Sequence, residues 1–127
     1  MNRRDVLTGG LAALAGEFGG PITALGWEQR EVALKGAATL VNATNQGMVG
    51  EPPLDLALDA LPVSALVSDI IYIPRETALL ATARKRGNPT VNGLGMLLHQ
   101  ARPAFHAWFG IMPEVTPELR AMIEATT

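Results

Sequence analysis

The stretch Asn92-Gly-Leu-Gly-Met-Leu-Leu-His-Gln100 constrains this chain more than any other. It reads as the end of a buried strand, a glycine turn and the first turns of a helix. Gly93 and Gly95 lack Cβ atoms where a backbone could press against a ligand or turn left-handed. The helix that follows offers free N–H groups and a positive dipole end. Met96 and Gln100 are four apart, share one helix face and can address the same cleft. A glycine pair by itself is equally a tight strand-to-helix turn with no ligand.

Upstream, the same strand-to-helix grammar recurs. Leu7 to Phe18 has helical spacing, stopped by Gly19-Gly20-Pro21, and Ile22 to Leu25 is a short strand candidate. Trp27 to Leu34 is a polar helical turn or two, closed by Gly36. Ala38 to Ala43 is a continuous apolar strand, the pattern of a parallel sheet covered on both faces. A loop from Thr44 to Pro53 follows, and Leu54 to Leu61 adds a helical turn. Ala65 to Ile71 is a second buried strand. Glu76 to Arg86 is a helix with Leu79, Leu80 and Ala83 inward, its last turn basic and Gly87 following as C′.

Thr90 to Asn92 is a last short strand, and Leu94 to Phe109 the long helix, with Leu94, Leu97, Leu98, Ala101, Phe105 and Trp108 as its apolar stripe. Pro103 should bend or split that helix, and Gly110 ends it. Thr116-Pro117-Glu118 starts a final helix whose sticky face is Leu119, Met122 and Ile123. Alternating strands and helices predict an α/β fold, a partial Rossmann-like parallel sheet with flanking helices.

Composition narrows the function. The chain has 127 residues, 48% apolar, enough for one domain or a piece of one with a real core. A formal charge of −2 without a basic stripe argues against nucleic acid. The absence of cysteine removes disulfides and thiolate metal sites. His99 and His106 are seven apart without an evident third ligand, so no metal is expected. No apolar run approaches the ~18 residues of a membrane span. Arg3-Arg4 before Leu7 to Ala15 has the outline of a twin-arginine export peptide. Glycines interrupt it and no Ala-x-Ala cleavage site follows, so a cytoplasmic chain is expected.

Three strand-to-loop junctions line up: Asn42-Ala-Thr-Asn-Gln-Gly-Met48, Asp69-Ile-Ile-Tyr72 and Asn92-Gly-Leu-Gly-Met96. Ligands of doubly wound sheets bind at the carboxyl ends of strands, where all three fall. With Pro52-Pro53-Leu54, Pro74, Glu76-Thr77, Gln100-Ala101 and Trp108-Phe109-Gly110, this set closely resembles the carboxyl-terminal half of shikimate dehydrogenase, from about Leu11 to Ala125. The resemblance implies the carboxyl-terminal portion of an NADP-binding domain. It ends in helices that return toward a substrate domain absent from these 127 residues.

It also implies NADP-dependent reduction of 3-dehydroshikimate to shikimate, in aromatic amino-acid biosynthesis. By that likeness Thr44, Asn45 and Gln46 line the cofactor cleft, and Ile70 lies near the nicotinamide. The Gly93 backbone faces the ring, Met96 packs against it, and Tyr72 and Gln100 reach the substrate. These types suit the chemistry: an apolar wall for hydride transfer, a hydroxyl and an amide for a polyol. By residue type alone, Tyr72 and Met96 are more often core residues and Gln100 more often a solvated one.

The departures are as informative. No Gly-x-Gly-x-x-Gly-like run is present, and the family's catalytic Lys and Asp belong to the amino-terminal substrate domain. Lys35 and Lys85 are in the wrong context to replace that Lys. Asn2-Arg3-Arg4 is similar to the element that grips the 2′-phosphate, at a spacing to Phe18 about three residues too long. Asn92 stands where Asp is common, and Asn45-Gln46 where small hydroxylated residues are common, which opens the choice of cofactor. Three readings follow: a dehydrogenase present as its carboxyl-terminal half and inactive alone, a non-catalytic nucleotide-binding remnant, or a quinate/shikimate paralogue using NAD. In the sheet order 3-2-1-4-5-6 the missing strands include the middle ones, so Ala38–Ala43 becomes an unpaired edge and a homodimer is expected.

Overall fold

The computed structural model describes residues 12–20 and 22–127. Residues 12–18 are helical (α1) and end at Gly19, whose N–H bonds the Ala15 carbonyl. The candidate strand at Ile22–Leu25 forms no ladder, and a 3₁₀ turn at Trp27–Gln29 runs into a short helix, α2 (Arg30–Ala33). Arg30 lies over the Trp27 ring at 5.0 Å and pairs with Asp55 at 2.9 Å, which ties this turn to the segment after the next strand.

Three strands follow: β1 (Thr39–Asn42), β2 (Leu66–Asp69) and β3 (Thr90–Val91). They form one parallel sheet in the order β1-β2-β3, with Asn42 opposite Asp69 and Ser68 opposite Val91. Parallel pairing brings every carboxyl end, and so every following loop, to one side of the sheet. α3 (Ala78–Arg86) crosses from β2 to β3. Its capping Thr77 accepts the Leu80 N–H, and Gly87 closes it in the left-handed region (φ 94°), as the glycine after a basic last turn predicts.

The core is the cluster Leu34, Leu58, Leu61, Ala65, Val67, Leu79, Leu80 and Ala83. Two expectations fail here. Leu54–Leu61 is extended, not helical, until a turn at Asp59–Ala60. Leu54, Leu56, Leu58 and Ala60 face inward while Asp55, Ala57 and Asp59 face out, a period of two that flanking prolines favour. β1 is also not covered on both faces: Val41 is 54% exposed, and among the described residues β1 pairs only with β2.

α4 (Leu94–Phe109) spans the predicted range and stays one helix through Pro103. Of its apolar stripe only Leu94 is buried; Trp108 is 77% exposed. Gly110 (φ 72°) ends it, and α5 (Pro117–Glu124) starts with the Thr116 side chain accepting the Leu119 N–H.

Candidate functional site

Asn42 ends β1 and Asp69 ends β2, and the two are partners across the ladder. Both are almost fully buried, at 3% and 1% exposure. Asp69 Oδ1 accepts the Asn42 side-chain amide at 3.2 Å and the Ile71 N–H at 3.0 Å, while Oδ2 accepts the Thr77 hydroxyl at 2.7 Å. Asn42 also donates to the Gln46 carbonyl (3.1 Å) and accepts the Thr44 N–H (3.1 Å) and hydroxyl (2.7 Å). This network joins the ends of two strands to the start of α3 with every buried polar group partnered. Its residues stand in the sequence as landmarks. Only their pairing in the sheet reveals what they do.

Above the network the loops enclose a cleft of about 490 Å³. Thr44, Asn45, Ile70, Tyr72 and Met96 line it, together with Met48 and Val49. Neither was singled out as a site residue, although Met48 closes the Asn42–Met48 junction that points to this end of the sheet. The lining is overwhelmingly apolar, a surface suited to a flat ring rather than to a charged group.

Three of the expected site residues stand outside that lining. Gln46 holds the loop instead: its N–H donates to Thr44 Oγ1 at 3.1 Å. Gln100 is exposed on α4; one helical turn carries it about 6 Å along the axis from Met96. Gly93 is buried behind the wall, with φ −75°, so it does not turn left-handed. Its missing Cβ makes room for the Ile70 carbonyl, and its N–H bonds the Ile71 carbonyl at 2.9 Å. The close approach expected at this glycine is thus to the chain's own backbone. Asn92 donates to the Arg75 carbonyl (3.2 Å) and accepts the Leu94 N–H (3.3 Å), so its amide secures the start of α4. Asn2, Arg3 and Arg4 lie outside the described residues.

A second cleft of about 570 Å³ lies beyond β3, lined by Arg75, Glu76, Arg84, Asn92, Arg120 and Glu124 among others. Its charges are internally paired, Arg84 with Glu76 at 2.6 Å and Arg120 with Glu124 at 2.9 Å. No group of three or more potential metal-ligating side chains occurs among the described residues.

Residues 93–125 match the family model of the shikimate 5′-dehydrogenase carboxyl-terminal domain. The chain is 54% identical over 112 residues to the NADP⁺ shikimate dehydrogenase of Paramagnetospirillum magneticum, a match covering 88% of this chain and 41% of that protein. With the Rhodospirillum rubrum enzyme it shares 60% identity over 103 residues, 81% of this chain and 36% of that one. This chain is similar to part of the shikimate dehydrogenases, and its residues 93–125 to their carboxyl-terminal domain. It therefore spans about two fifths of the length of the curated relatives it matches.

Solved structures agree in fold. Quinate dehydrogenase from Corynebacterium glutamicum, in complex with NAD, superposes with a TM-score of 0.81 at 30% identity, over 93% of this chain and 43% of that one. Shikimate 5-dehydrogenase from Thermus thermophilus, in complex with NADP(H) and shikimate, gives 0.65 at 33% identity, over 81% and 37%. The fold is the expected partial Rossmann-like sheet.

Proposed function

We propose that the cleft at the carboxyl ends of β1 and β2 is the nicotinamide side of an NADP-dependent shikimate dehydrogenase site, reducing 3-dehydroshikimate to shikimate. One observation carries the reading: the loop after β2 and the first turn of α4 deliver Ile70 and Met96 as an apolar wall, with Thr44, Asn45 and Tyr72 around the same opening. That lining fits a nicotinamide ring, and identity above 50% to NADP⁺ shikimate dehydrogenases supports the cofactor. The bound cofactor supplies the hydride that a ketone carbon accepts.

In this reading Ile70 and Met96 exclude water from the ring and hold it flat, and the Gly93 backbone stands behind them. Thr44, Asn45 and Gln46 form the loop against the cofactor. Tyr72 and Gln100 offer hydrogen bonds to the polyol, Gln100 from the exposed side of α4. The 127 residues hold no glycine-rich phosphate turn, so they supply one wall of the site and not the pyrophosphate grip. The domain is accordingly the carboxyl-terminal portion of an NADP-binding domain, whose last helices face a substrate domain in the whole enzyme. Its setting in this reading is aromatic amino-acid biosynthesis in the cytoplasm. Separately, no helix among the described residues is long and apolar enough to cross a membrane.

A second reading, quinate oxidation with NAD, draws on the similarity in fold to the Corynebacterium quinate dehydrogenase and on Asn45-Gln46 in the cofactor loop. Turnover assays and binding measurements on the mass-verified chain, with NADP and NAD and with shikimate and quinate, test both. We expect no turnover by the 127 residues alone, because a placed proton-transfer group is typically worth ~10² to 10⁴ in rate and, among the described residues, no Lys or Asp lines the cleft. We expect NADPH to bind in preference to NADH. Turnover by the isolated chain would overturn the first expectation, and a preference for NADH with quinate would establish the second reading.

A further inference from the structure

The lip of the cleft carries a hydrogen-bond polarity set from the core. Every group that meets Asp69 is a donor: the Ile71 N–H, the Thr77 hydroxyl and the Asn42 amide. Thr77 can spare its proton because its oxygen accepts the Leu80 N–H at 3.3 Å. The Asn42 NH₂ therefore faces Asp69 Oδ1 and, on its second proton, the Gln46 carbonyl. That leaves only one orientation for the other edge of the amide: Asn42 Oδ1 faces Thr44 and accepts both its N–H and its hydroxyl. A flipped amide would set an oxygen against two oxygen acceptors and an NH₂ against a backbone N–H.

The Thr44 hydroxyl proton is thus committed inward. The Gln46 N–H occupies one acceptor position of the same oxygen at 3.1 Å. What Thr44 Oγ1 retains for the cleft it lines is an acceptor position and no proton.

We propose that Asn42, oriented by Asp69, is a positioning residue that makes Thr44 an obligate acceptor at the cleft. A ligand is then held there through an N–H or O–H donor, such as a carboxamide NH₂ or a sugar hydroxyl, and an acceptor group is turned away. The choice of NADPH as probe rests on the function proposed above. The polarity itself rests on the bonds within the chain.

The test uses the 127-residue chain as wild type, Asn42→Ala, Thr44→Val and the double variant. NADPH affinity is read by fluorescence, and Thr44 is read by proton NMR. In Asn42→Ala, Asp69 keeps two donors, so the signals of β2 and α3 should persist while the Thr44 hydroxyl proton moves from slow to fast exchange. Each single variant should weaken NADPH binding by about tenfold, the scale of one hydrogen bond, and the double variant by no more than either. Additive losses would mean that Asn42 does not act through Thr44, and would overturn the proposal. So would an unchanged affinity in a folded Asn42→Ala. If that variant does not fold, the wild type decides: a slowly exchanging Thr44 hydroxyl proton supports the assignment and a fast one refutes it. If the wild type does not bind NADPH, the nucleotide reading fails, and the same hydroxyl measurement still decides the polarity.

Discussion

Gly93 lies directly beneath Ile70: a Cβ placed on Gly93 would overlap the Ile70 carbonyl and come within 2.9 Å of the Ile71 carbonyl carbon. Ile70 is in the wall of the cleft, so this contact sets how α4 approaches the end of β2. Gly95, two residues on, has only the Arg120 guanidinium at 4.0 Å. The two glycines should therefore respond oppositely to the same substitution. Gly93→Ala forces backbone apart and should cost roughly 1–3 kcal/mol or more. Gly95→Ala gains helix propensity and should be neutral or stabilising by up to about 1 kcal/mol. Urea denaturation of both variants checks the order; equal effects would contradict it.

Gln100 is exposed one turn beyond Met96 on α4. In a complete enzyme containing this sequence, Gln100→Ala should impair shikimate handling far more than NADP binding. Loss of one hydrogen-bonding partner should cost roughly 1–3 kcal/mol. Steady-state kinetics decide: a variant that kept its shikimate KM and kcat but lost NADP affinity would place Gln100 at the cofactor instead.

The 127-residue chain should self-associate. Val41 sits exposed on β1, which among the described residues pairs only with β2, and Phe105, Trp108 and Met122 are exposed on the last two helices. The rings of Phe105 and Phe109 already meet at 4.6 Å, tilted by 44°, yet both remain exposed. Burying one such side chain is worth roughly 1.5–3 kcal/mol, so several together can drive a symmetric homodimer. Analytical ultracentrifugation at micromolar concentration would show it; a clean 13.4 kDa monomer would count against it.

Glu118 offers a small pH signature. A hydrogen bond from its own backbone N–H, and then one from Thr116, hold its carboxyl below the ordinary value, at the start of α5 where the dipole also favours negative charge. The folded value is depressed, so the stabilisation is complete above the ordinary glutamate range. It is lost as pH falls through the lowered value. An NMR titration should place the Glu118 carboxyl below the ordinary glutamate value, and Glu118→Gln should lessen the acid sensitivity of α5.

Much of the architecture was legible because its signals are local. Gly87 ends α3, Gly110 ends α4, and Thr116-Pro117 starts α5, each through bonds within a few residues of the chain, whereas α3 starts at Ala78 behind its Thr77 cap and not at Glu76. The segment Leu54–Leu61 was misread although its alternation of leucine and aspartate carried the answer; a short apolar run satisfies helical and extended patterns alike. Pro103 left α4 whole, since a proline on an exposed helix removes one bond without forcing a break.

By itself the sequence determined that three strands would end in junctions carrying Thr44, Asn45, Ile70, Tyr72 and, at the start of a helix, Met96, because strand, turn and cap are written in neighbouring residues. Only the tertiary structure decided that these side chains share one cleft while Gln46, Gly93 and Gln100 do not line it. It alone showed that Asn42, Asp69 and Thr77 form the support beneath. The reason is physical. Which strand neighbours which, and in what register, sets the distances between residues far apart in the chain. That choice rests on the burial of Val67, Leu80 and Ala83 together, which no local pattern encodes.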